Sequence, residues 1–214
     1  MSYKGRIQDI IGDVGDDNLI TQALQDAGAK IIDISPLEKL KNVARTTSIS
    51  SSGLDVSSFR VLGVSKSSYI AKLVPNEDIA KYKDSNSIHY AVDTEPVYHF
   101  IGEKVFITSS GAATTGDCMY VPKIPTTDGS TLVLHSDNGV VNVPLEAESL
   151  MVLGASIICL QRRITDRLDT LKQYLVTDED VELASTQNIE IQGYQGLLAT
   201  VKAEYQQQLE VYIN

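Results

Sequence analysis

Apolar positions follow helical spacing at both ends of this chain and alternate in its middle. Ile7, Ile10 and Ile11 share one side of a short helix over 4–11, which Gly12 and Gly15 interrupt. Leu19, Ile20, Ala23, Leu24, Ala27 and Ile31 then recur at spacings of three and four, predicting a helix from about 17 to 33. Asp16 and Asp17 supply an N-cap and a charge that suits the helix dipole. Ser35-Pro36 restarts the chain, because Pro suits a first helical turn. Leu37, Leu40 and Val43 then mark a short helix over 36–43.

The pattern changes at Arg45. Residues 46–58 hold eight Ser or Thr but are punctuated by Ile49, Leu54 and Val56, which predicts an irregular strand or loop entering a sheet. Phe59–Val64 and Ser68–Leu73 read as two strands with a turn over Gly63–Ser67. Residues 75–82 predict a short helical insert, and Ser87–Val92 a strand through Ile88, Tyr90 and Val92. Val97–Ile107 predicts a hairpin turning at Gly102-Glu103. Gly111–Gly116 reads as loop and Asp117–Ile124 as a strand, with Pro122 at a sheet edge or strand end. Residues 132–134 and 140–143 add strand-like pieces around the turn signal Asp137-Asn138-Gly139.

A long helix over about 145–173 follows. Its segment Leu150–Leu160 is apolar on nearly every face, so it must be buried on all sides, and a partner subunit could supply part of that burial. Glu146 and Glu148 in its first turn complement the dipole; Arg162, Arg163 and Arg167 follow the apolar run. Thr177-Asp178-Glu179-Asp180 has capping-box spacing and predicts a short helix to about 186. A last helix over 189–212 carries Tyr194, Leu198, Val201, Tyr205, Leu209 and Tyr212 on one stripe. The expected fold class is α+β. The N- and C-terminal helices (1–45 and 145–214) form a bundle, because neither end alone buries its apolar face. A β-rich, sandwich- or barrel-like insertion occupies 46–144.

Composition narrows the function. Eighteen Lys and Arg against 28 Asp and Glu leave a net charge of −10, mostly interspersed, which argues against clustered contacts to nucleic acid backbones. The N-terminus has no apolar signal region, and Leu150–Leu160 is too short to span a bilayer. The expectation is a soluble protein made in the cytoplasm, with Cys118 and Cys159 as reduced, packed thiols. No metal-ligand spacing, nucleophile elbow or phosphate loop occurs, so the chain reads as a non-enzyme without cofactor or metal. His89, His99 and His135 are scattered over strand-like segments and read as structural or surface groups. The run Asp178, Glu179, Asp180 and Glu182 lacks calcium-loop spacing and reads as a solvated helix start. Arg162-Arg163 has two readings: a subunit or nucleic-acid contact, or a solvated face pairing with Asp166 or Asp169.

This arrangement resembles the head-to-tail adaptor (connector) proteins of tailed bacteriophages. The matching pieces are the helix Asp17–Asp33, Ser87-Ile88-His89-Tyr90, Pro96-Val97-Tyr98, Lys104-Val105-Phe106-Ile107 and the acidic start of the long helix, Glu146 to Ala155. They span roughly residues 17–170; the loop Gly111–Gly116, the segment 125–143 and the last helix depart from the commoner pattern. The resemblance implies a virion structural protein of the neck, assembled in the host cytoplasm. It implies a self-ring, usually of twelve copies, beneath the portal protein, with a platform for the next neck or tail protein. Genome DNA would pass through the channel without sequence-specific binding. Candidate interface residues are Glu146, Glu148, Leu150, Leu153, Ile157, Arg162, Arg163, Tyr205 and Tyr212, with 176–214 as a partner-seeking segment. The competing expectation is a β-rich binding module of a virion, a decoration or receptor-binding protein. Few aromatics and no Trp count against a glycan platform.

Overall fold

A computed structural model describes residues 1–177 and 181–214. Helices α1 (Tyr3–Ile11), α2 (Asp17–Ile34) and α3 (Leu37–Lys41) come first. Strands β1 (Arg45–Ile49), β2 (Leu54–Asp55), β3 (Phe59–Lys66), β4 (Tyr69–Ile70) and β5 (Lys72–Leu73) follow. A 3-10 turn at Asn76–Asp78 leads into α4 (Ile79–Lys83). Then come β6 (Val97–Ile101), β7 (Lys104–Ser109), β8 (Ala112–Thr114) and β9 (Gly116–Pro122). A second 3-10 turn, Leu145–Ala147, opens α5 (Glu148–Thr177), and α6 (Val181–Ile213) ends the chain. The chain is α+β, with helices at both ends and strands between them. Among the described residues, no helix is long and apolar enough to cross a membrane.

The chain divides into a helical unit, Met1–Ser35 with Ile124–Asn214, and a β-rich unit, Pro36–Lys123. In the helical unit, α5 packs against α1, α2 and α6. Caps set the helix starts: Ser2 accepts from the Gly5 amide, and the Asp16 carboxylate accepts from the amides of Asn18 and Leu19. Ile20, Ala23, Leu24, Ala27, Gly28 and Ile31 form the buried face of α2. Gly28 is required by that contact, since a Cβ there would lie 2.0 Å from the Pro125 ring and 3.0 Å from Met151 Sδ.

The segment 124–144, expected in the β insertion, belongs to the helical unit. Its backbone is tied to the N-terminal helices: the Tyr3 and Lys4 amides donate to Asp137 and His135 carbonyls, and the Gln25 carboxamide donates to the Val133 carbonyl. Buried Asn142 holds the segment together, accepting from the Thr126 amide and hydroxyl and donating to the Ile124 carbonyl. Residues 132–134 and 140–143 are not strands: they make one isolated bridge, Leu132 with Thr126, and single bonds from the Val133 and Val141 amides to the Pro125 and Thr126 carbonyls. At the other boundary, residues 36–45 go with the β-rich unit, where α3 packs on β3 and buries Leu40.

In the β-rich unit one sheet runs β1-β9-β3-β4 and the other β2-β7-β6-β5, with β8 paired to β7. The core joins the two sheets. Ile49, Val64 and Cys118 come from the first, and Val105 and Ile107 from the second. That is a sandwich, whose alternating strands each give one face to the core. The hairpin β6–β7 turns at Gly102, at φ 58°, as its sequence signal predicts. Pro122 ends β9, a central strand, so it marks a strand end and not a sheet edge.

Local expectations fail where side chains bond their own backbone. Residues 87–92 are turns, not a strand; the Ser87 hydroxyl accepts from the His89 amide and Asp84 accepts from the Asn86 amide. The expected strand 68–73 is split at Ala71, whose amide donates to Val64 before the chain enters the second sheet. The expected loop 111–116 holds β8, turned by Ser110 and Gly111 at φ 50° and 74°. The expected pair of C-terminal helices is one continuous helix, α6. Asp178, Glu179 and Asp180, with the capping box read there, lie outside the described residues.

Candidate subunit and partner interfaces

Most of the interface residues expected on α5 are used by their own chain. Leu150 is 1% exposed and Leu153 4%, beside buried Met151, Val152, Ala155, Cys159 and Leu160. The burial that this run demands is supplied inside the helical unit, so these side chains offer nothing to a neighbour. Glu148 receives an ion pair from Arg6 and a hydrogen bond from the Tyr3 hydroxyl at 3.1 Å. Burial, followed by the Glu148 charge, pushes the Tyr3 phenol well above its usual range. Arg163 donates to the Ile11 carbonyl at 2.8 Å and lies over the Tyr194 ring. Tyr212 is buried and shares a hydrogen bond of 2.8 Å with Ser35.

Six of the nine keep a solvent-facing part, Glu148 and Arg163 among them despite their partners. Ile157 is half-buried, and Tyr205 is half-buried with its ring against α5 near Gly154. Glu146 is exposed, as is Arg162, which pairs with Asp166 at 3.1 Å across one helical turn. Such a pair is the solvated-face arrangement, and it contributes little to stability. The two thiols are free and buried, and burial pushes both up to about 11.

Among the described residues, one uncovered face lies on α6. Ile191, Val201 and Tyr212 face inwards. Ser185, Ile189, Gly193, Gly196, Thr200, Ala203, Gln207 and Val211 recur every three or four residues on the opposite face, and all are exposed. None carries a charge. Ile189 is 67% exposed and Val211 76%. The spacing was legible in the sequence, but the Tyr-bearing stripe on the other face is the stronger signal and hides it.

The β-rich unit carries an open cleft of about 330 Å³, bordered by Ile70, Lys72, Tyr82, Ile88, Glu95 and Pro96. Ile70 and Ile88 stand 85% and 95% exposed there. Elsewhere in the unit Asp93 accepts from Lys66 at 2.6 Å, from Ser110 at 3.0 Å and from Ser109. Those bonds, Lys66 first, hold its carboxyl down at about 2. Lys66 also donates to Ser109 at 3.0 Å. A lysine held by a carboxylate is no base for that serine, so the cluster is a latch between β3, β7 and the 93–96 turn. His99 is buried and stacked on Phe106, and its Nδ1 has no partner among the described residues. Burial, then the Lys83 charge, lowers its proton affinity and keeps the ring neutral. Among the described residues no three His, Cys, Asp or Glu side chains group as metal ligands would. The sequence matches no protein-family model and no curated protein.

Proposed function

We propose that this chain is a virion structural protein, a head-to-tail adaptor whose copies form a ring beneath a portal, bordering the DNA channel and presenting a platform to the next neck or tail protein. The observation that supports the reading is the order of elements. An amphipathic helix, α2, precedes a β-rich unit with a central hairpin, β6–β7, and a long helix with an acidic start, α5, closes the unit that α2 began. That is the order in which the resemblance runs. The acidic chain also suits a passage along which DNA slides without sticking, since like charges repel.

The test is reconstitution. The purified chain, mixed with the portal ring of its own particle, should give a stoichiometric ring, of twelve copies, seen by electron microscopy and weighed by native mass spectrometry. A chain that leaves the portal bare defeats the reading. One observation favours the second reading, a β-rich decoration or receptor-binding module: the cleft whose walls expose Ile70 and Ile88. Under that reading the β-rich unit, expressed alone, binds the particle or host surface and the helical unit is dispensable.

A further inference from the structure

We infer that residues 75–91 form an acid-sensitive strap over the second sheet of the β-rich unit, released when His99 beneath it takes up a proton. Strand alternation places that histidine. Val105 and Ile107 of β7 face the sandwich core, so Phe106 and Thr108 point to the other side of the sheet. His99 stacks on Phe106, and Val97 lies two residues from it on β6, so all four share the outer side. The strap roofs this side. Val74 and Ala91 pack on Val97, with Ile79 and Tyr82 around them. The turn Asn76–Asp78 touches β6, and α4 touches β7. Under the roof His99 is 2% exposed and Thr108 is fully buried. Neither His99 Nδ1 nor the Thr108 hydroxyl has a partner among the described residues. Folded chains rarely enclose polar groups without bonding them.

A neutral imidazole tolerates this place, whereas a charged one does not. The charge that acts on His99 is that of Lys83, at the end of α4, and it repels a second cation. Among the described residues no carboxylate acts on the ring. Phe106, Thr108, Val97, Val74, Ile79 and Ala91 bring no charge, and Tyr82 adds a phenol. With the strap in place, burial and Lys83 hold the proton off. With the strap lifted, the ring takes a proton in the ordinary histidine range, about 6.5. The open form therefore binds more protons, so the closed strap is favoured above that range and loses ground as pH falls through it. The neighbouring fastening does not respond in the same window. Lys66, Ser109 and Ser110 donate to Asp93, and its carboxyl stays ionised down to about 2. Asp93 is thus the anchor, and 75–91 is the part that lifts.

Hydrogen exchange on the full chain tests this, at about pH 7.5 and about pH 5.5, where carboxylates of ordinary range are still ionised. Rates are corrected for the intrinsic effect of pH. The Ala91 and Ser110 amides, bonded to the Tyr82 and Ala91 carbonyls, report the strap. Their protection should fall by about threefold or more at the lower pH, within the limit of tenfold per pH unit for one proton. Amides of β9 should keep theirs. His99→Phe should hold the strap equally at both pH values, and Lys83→Gln should shrink the response. In the wild type the His99 ring signal in proton NMR should titrate below about 6.5. Equal strap protection at both pH values overturns the inference, as does a response that survives in His99→Phe. If His99→Phe fails to fold, the NMR arm still decides: a midpoint at or above the ordinary range overturns it. None of these outcomes depends on where the chain assembles, so the neck assignment stands or falls separately.

Discussion

The two long helices of the helical unit pose the same problem and solve it differently. In α5, Leu150–Leu160 is apolar on nearly every face, and its own chain covers it with α1, α2 and α6. In α6 the apolar residues are sparser, yet they lie on two faces, of which only one meets α5. The difference shows that the density of apolar residues does not reveal which helix needs a partner. What matters is whether the rest of the fold has a surface left to cover each face.

The largest expected effect comes from treating α5 as an outside surface. Leu153→Asp buries a charge without a partner and should cost on the order of 4 kcal/mol, unfolding the helical unit. Urea titration followed by circular dichroism at 222 nm reads this. A stable Leu153→Asp chain would mean that α5 is not enclosed and would break the comparison. Leu150→Ala, which removes volume only, should cost about 2–5 kcal/mol by the same measurement.

Smaller losses sharpen the account of how α5 is covered. Gly28→Ala drives a methyl into the Pro125 ring and should destabilise by about 1–3 kcal/mol, seen as a lowered Tm; no change would show that α2 can retreat from α5 freely. Glu148→Gln weakens the bonds from Arg6 and Tyr3, both partly screened by water, and should cost about 1 kcal/mol. The double variant with Arg6→Ala should cost less than the two single changes added together, since the two residues share one contact.

The smallest expected effect on stability is on α6. Thr200→Arg should leave the unfolding midpoint within about 0.5 kcal/mol of the wild type, because its exposed side chain makes only a local bond, from its hydroxyl to the Gly196 carbonyl. A variant that loses stability would show that the outer face of α6 is covered within the chain, and the contrast with α5 would vanish.

Much of the fold is legible in the chain. The spacing of Ile20, Leu24, Ala27 and Ile31 identifies α2 and its buried face, and Asp16 caps it as expected. Gly102 turns the hairpin between β6 and β7. Legibility fails at Ser87–Val92, where Asp84 and Ser87 bond nearby amides and an alternating apolar pattern is left in turns with Ile88 in solvent. It fails again at 124–144, whose attachment to the helices depends on Asn142, Thr21 and His135 finding partners far along the chain. Among the candidate interface residues, Arg162 pairs one turn along as its spacing allowed, while Arg163, its neighbour, turns inwards to Ile11.

Local chemistry is what the sequence determines by itself: periodicity, caps, hairpin turns and an acidic charge that excludes clustered backbone contacts to nucleic acid. These depend on neighbours within a few residues, and those neighbours are written next to one another. Only the tertiary structure decided that the apolar run of α5 is satisfied at home, that 124–144 sides with the helices, and that Ile189 and Val211 of α6 are left exposed. Burial is a non-local quantity. A side chain is covered or exposed according to where distant segments come to rest, and no window along the chain contains that information.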